Sequence, residues 1–257
     1  MTDDFPEANR AIPLPCCVEA PASYLPKAEY GLRMLLLPLG IDPRWVDRED
    51  LAAPGLYYGP QPERLSEGIL RLRLAPATLA YFDEATPYDR RRVHWRTRDD
   101  DRWPILFHEA GTDDLVASTF FWLSGWQEHT SRTRDRHGRF PHHASLQAHF
   151  GTTTRPAVDA YRAMLAQQLT GLGVPLRRRA WGGAAWTLCP TFDIDYLRKW
   201  RKGMVYRETV EYFLLNRRRV RPGVRLRRFG HFLRDSMTPG DVYRIAFERL
   251  QQETVQR

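Results

Sequence analysis

The 257 residues, 42% of them hydrophobic and 12% aromatic, carry enough apolar side chain to bury a sizeable core, which excludes disorder as the main state and predicts one large or two modest domains. The formal net charge of +8 is concentrated: between Tyr196 and Asp235 thirteen Lys or Arg stand against three acids, +10 in that stretch and -2 in the rest. The acidic start Met1-Thr2-Asp3-Asp4 lacks the basic region of a signal peptide, and the longest apolar run, residues 34–39, is too short to cross a bilayer, so the expectation is a cytoplasmic protein without a membrane span.

Residues 1–30, rich in Pro and Ala, suggest an extended leader, and the adjacent Cys16 and Cys17 fit neither a disulfide framework nor a zinc ribbon. The run Gly31-Leu32-Arg33-Met34-Leu35-Leu36-Leu37 reads as a strand. Leu56-Tyr57-Tyr58-Gly59-Pro60 reads as a second, and Gly68 to Leu74 alternates apolar with basic residues as a half-buried strand does. Residues 88–102 are charged enough to be loop, and Trp103 to Phe107 restores a buried strand. Asp113 or Asp114 is placed to cap a helix over 115–123, and Pro156 starts another that Gly171 and Gly173 end. A mixed sheet with flanking helices is therefore expected up to about residue 175. Trp186 to Phe192 reads as a further buried strand, with Asp193 and Asp195 at its carboxyl end.

Two clusters read both ways. His137, His142, His143 and His149 could gather a metal, or hydrogen-bond in an exposed loop. Phe120, Phe121, Trp122 and Trp126 could stack on a sugar, or pack the core. The arginines from Arg217 to Arg228 suit a polyanion or a solvated helix. They are not interleaved with aromatic residues, and a nucleic-acid reader is the less favoured reading.

The segment from Asp114 to Glu128, with Arg134-Asp135-Arg136-His137-Gly138-Arg139-Phe140-Pro141, Ala144-Ser145-Leu146 and Arg155-Pro156, resembles the uncharacterised α/β domain that precedes the NodB-homology domain in bacterial polysaccharide deacetylase-like proteins. The resemblance covers roughly residues 30–200. It implies an N-terminal mixed-sheet α/β domain over 31–175, joined through Arg177-Arg178-Arg179 and Gly182-Gly183 to the opening portion, 186–257, of a NodB-type β/α barrel of the carbohydrate esterase type.

By that resemblance Asp193 is the general base and Asp195 ligates a divalent metal, zinc or similar, that activates water against an acetyl carbonyl. The implied partner is an acetylated glycan or glycan precursor. The family's metal also needs two histidines from a later His-x-x-x-His motif, whereas after Asp195 this chain has only His231. The expectation is thus a truncated or split deacetylase-like protein, inactive alone, whose barrel a separately encoded remainder would complete. The rival is a non-catalytic accessory or binding protein.

Overall fold

One of the two interior strands of the sheet comes from the stretch that composition marks as a leader. In the computed structural model, which describes residues 11–177, 202–207, 210–211, 221–237 and 242–255, Ile12–Val18 forms strand β1. Helix α1, Leu25–Leu36, follows, and β2, β3 and β4 are Ile41–Trp45, Gly55–Gly59 and Ile69–Arg73. All pairings are parallel, in the order β2-β1-β3-β4. The expected leader is corrected accordingly. Its prolines are tolerated because β3 pairs only with Cys16 to Val18. Pro13 and Pro15 turn their missing N–H groups toward the side that β3 leaves unpaired.

The expected strand over 31–37 is also corrected: it is the second half of α1. Ala28, Leu32, Leu35 and Leu36 are buried at helical spacing, a periodicity that the seven-residue run is too short to display. Gly31 is part of that buried face. A Cβ there would lie 2.6 Å from the Val116 carbonyl oxygen, so glycine is what lets α1 close on the helix carrying Val116.

After α2, Pro76–Glu84, two antiparallel hairpins stand apart from the main sheet: β5 with β6, His94–Arg98 and Asp101–Ile105, and β7 with β8, His108–Glu109 and Thr112–Asp113. This corrects two expectations. Residues 88–102 contain a strand, hidden because both of its faces carry polar residues. The strand near Leu106 belongs to a hairpin, and the main sheet is purely parallel. Both turns are of the primed type that matches strand twist, with positive φ at Asp99 and Asp100 (50° and 64°) and at Ala110 and Gly111 (49° and 79°).

Helix α3, Leu115–Leu123, is capped by Asp114, whose side chain accepts the Ala117 N–H. The short helices α4, Trp126–Thr130, and α5, Leu146–Phe150, precede α6, Ala157–Gly171. α1, α3 and α6 line one face of the sheet. Arg162 Nε of α6 donates to the Met34 carbonyl of α1 at 3.0 Å, and Trp122 Nε1 of α3 donates to the Tyr161 hydroxyl of α6 at 3.0 Å. Phe121 is buried, and Phe120, Trp122 and Trp126 pack against the same core. Their rings meet Tyr81, Phe82 and one another at tilted and edge-on angles, favourable for aromatic pairs. The opposite face holds a smaller cluster of Cys17, Tyr57 and Ile69 under Leu51 and Leu65.

The chain divides into two units, residues 1–187 and 188–257. In the second, α7, α8 and α9 are Lys202–Tyr206, Pro222–Ser236 and Val242–Val255. Arg225 and Arg227 lie on α8, which also exposes Leu226 and Leu233. Asp193, Asp195 and the expected strand over 186–192 lie outside the described residues, as do Arg178, Arg179, Gly182 and Gly183 of the expected join. Among the described residues no helix is long and apolar enough to cross a membrane.

Candidate functional site

The strand order reverses direction between β1 and β3, and the carboxyl ends of strands at such a point are where parallel sheets collect ligands. Glu19 stands there, one residue past β1, its N–H bonded to the Tyr58 carbonyl at 3.0 Å. Its carboxylate is occupied from within the fold. Oε2 accepts from the Tyr57 hydroxyl at 2.5 Å and from Arg48 at 2.7 Å, and Arg48 reaches on to the Gln61 carbonyl at 3.0 Å. Burial, then the bond to Glu19, pushes the Tyr57 phenol up to about 12. Because Arg48 lies on the β2–β3 connection, this cluster latches that connection to the carboxyl ends of β1 and β3.

On the helix-side face, the Tyr58 hydroxyl donates to Asp114 Oδ2 at 2.8 Å and lies 3.3 Å from the Tyr24 hydroxyl. Thr78 approaches the same oxygen at 3.4 Å, and the Ala117 N–H bonds Oδ1 at 2.9 Å. Asp114 is 4% exposed. Burial raises its carboxyl to about 7, against the N–H and hydroxyl donors that pull it down. Tyr24 and Tyr58 are driven well above the ordinary phenol range, first by burial and then by the Asp114 charge. These hydroxyls and the carboxyl saturate one another inside the core, which suits a structural keystone better than a site that must meet a substrate.

A third cluster faces outward. The Ala110-Gly111 turn sets His108 directly opposite Asp113 across β7 and β8, and His108 Nδ1 lies 2.6 Å from Asp113 Oδ1. Arg96 of β5 bonds the other carboxylate oxygen. His94, at the start of β5, stacks on His108 with ring centroids 4.0 Å apart and an interplanar angle of 14°. One ligand atom from each of His94, His108 and Asp113 lies within 4.8 Å of the others, and this is the one such group of three among the described residues.

The histidines singled out in the sequence go elsewhere. His142 Nε2 lies 3.0 Å from the Thr153 hydroxyl, Arg136 Nε donates to His137 Nε2 at 2.9 Å, and His149 Nδ1 lies 3.2 Å from an Arg90 nitrogen. Sequence reasoning missed His94 and His108, and took Asp113 only as an alternative cap. The spacings of fourteen and five residues match no ligand motif, and the available signal was the pair of turns that bring them together.

The model of a family described as of unknown function, DUF7033, matches residues 18–173. No curated protein and no solved structure matches the chain significantly.

Proposed function

The chain belongs to the family of unknown function DUF7033, whose model spans the N-terminal unit from residue 18 to residue 173; on that premise we propose that it is a polysaccharide deacetylase-like protein in which this unit is an accessory α/β domain joined to the opening portion of a NodB-type barrel. The observation that carries the reading is the order along the chain. The segment 114–156 that resembles the accessory domain is followed by an apolar run ending in Asp193-Ile194-Asp195. In this reading Asp193 is the general base, Asp195 a metal ligand, and the substrate an acetylated glycan or glycan precursor.

Residues 1–257 hold only part of the donor set that the family's divalent metal takes. That ion, zinc or similar, takes two histidines besides its carboxylate, and the only histidine after Asp195, His231, sits exposed on α8. In the N-terminal unit the polar groups along the sheet are bonded to one another: Glu19 to Tyr57 and Arg48, Asp114 to Tyr58. This favours a non-catalytic, accessory role there.

The test is acetate release from acetylated chitooligosaccharides and acetylated xylan by residues 1–257, with zinc or cobalt supplied. Turnover at background is expected, with Asp193→Asn unchanged. Orientation and an activated water each contribute several powers of ten to such a rate, and residues 1–257 supply only one histidine after Asp195 to hold them. Robust metal-dependent release that Asp193→Asn abolishes would refute the inactive reading.

A further inference from the structure

We propose that His94, His108 and Asp113 form a binding site for a divalent transition-metal ion of the zinc class, a site of the N-terminal unit that does not rest on the deacetylase reading. Two imidazoles and one carboxylate are a donor set that suits zinc, cobalt or iron(II) rather than magnesium or calcium, and they leave at least one coordination position for water or a small ligand.

The donors are already gathered. The three ligand atoms fall within 4.8 Å of one another, and the His94 and His108 rings, stacked with centroids 4.0 Å apart, would turn out of their parallel planes to aim one nitrogen lone pair each at the ion. His108 and Asp113 now share a hydrogen bond over 2.6 Å. A metal would replace the shared proton and open the pair to about 3.3 Å, the span across a tetrahedral centre with bonds of about 2.0 Å. That adjustment is within the reach of side-chain torsions.

Two features hold the donors in place. Arg96 bonds the Asp113 oxygen that His108 does not use, fixing the carboxylate plane and leaving Oδ1 for the ion. All three ligands also lie on short paired strands whose register the primed turns fix. Asp113 is 12% exposed and His108 23% in their side chains, so the site is sheltered yet reachable.

Tag-free protein of residues 1–257 titrated with cobalt(II) should bind one ion per chain, develop the visible d–d absorption of a nitrogen- and oxygen-ligated centre, and release the cobalt to stoichiometric zinc. His94→Ala and Asp113→Asn should each weaken binding by about 100-fold or more, beyond the loss typical of an outer contact, with unchanged circular dichroism. The double variant His142→Ala/His143→Ala should bind as the wild type does. Because a strand variant can fail to fold, the wild type supplies a second measurement. Zinc should slow diethyl pyrocarbonate modification of His94 and His108, mapped by mass spectrometry, by about tenfold or more. Cobalt held equally by a folded His94→Ala, the absence of stoichiometric binding to the wild type, or equal modification rates with and without zinc would overturn the site.

Discussion

Asp113 and Asp114 are neighbours in the chain and opposites in environment. Asp114 turns into the core, caps α3 and collects bonds from Tyr58, Thr78 and the Ala117 N–H. Asp113 ends β8 and turns outward to His108 and Arg96. Extended backbone at this point sends successive side chains to opposite sides, so one step along the chain separates a group that holds the fold together from one that is open to a ligand. The difference teaches that a carboxylate's role here is set by which side of the β8–α3 junction it leaves from, since residue type and sequence neighbourhood are the same for both.

Truncation tests that contrast most severely. Asp114→Ala removes a helix cap and strands buried hydroxyls, and should cost about 2–5 kcal/mol of unfolding free energy in urea. Asp113→Ala, whose partners can turn to water, should cost about 1 kcal/mol or less. Equal losses would break the comparison.

Titration sharpens it. The Asp114 carboxyl has an ordinary value of 3.8 and a folded value of about 7, so the folded protein holds this proton more tightly than the unfolded chain. Its contribution is fully present below about pH 4 and is lost as pH rises through about 7. The stability difference between wild type and Asp114→Asn should therefore shift against the wild type over that window and level off above it. Asp89, held down by its bonds to Arg91, and Asp135, held down by the Arg139 N–H, act with the opposite sign in acid. The wild-type curve alone therefore blends both effects, and the difference isolates Asp114. A difference flat from pH 4 to pH 8 would remove Asp114 from its place as the titrating keystone.

A neutral substitution probes the same interior without charge. Gly31→Ala would bring a methyl group to 2.6 Å from the Val116 carbonyl on α3, forcing α1 and α3 apart at a cost of about 1–3 kcal/mol. A lowered melting temperature with an unchanged cobalt titration is the expected pair of results. A change in both would show that the interior and the hairpin rim move together.

What the sequence made legible follows from how local the signal was. α3 and α6 show their helical spacing over whole turns, Asp114 stands at a capping position, and β3 and β4 are short apolar runs bounded by turn residues. The sequence hides α1 because only its second half is strongly apolar, and β1 because its prolines are permitted by a partner strand that sequence does not display. β5 carries no buried face and hence no alternation. The His94, His108 and Asp113 group depends on two turns and on pairing between them, so no spacing announces it. Asp193 and Asp195 stand as an Asp-x-Asp pair in the sequence and lie outside the described residues.

Cys16 and Cys17 turn β1 into a partition with a thiol on each side. Cys16 is sealed against the helices, its thiol pushed up to about 12 by burial, and Cys17 lies in the smaller cluster under Leu51 and Leu65. A reagent entering through the loop-covered side meets Cys17, and it gains Cys16 only when the helical layer lifts away. The order in which two adjacent atoms react thus becomes a record of which side of the sheet breathes first, written one peptide bond apart.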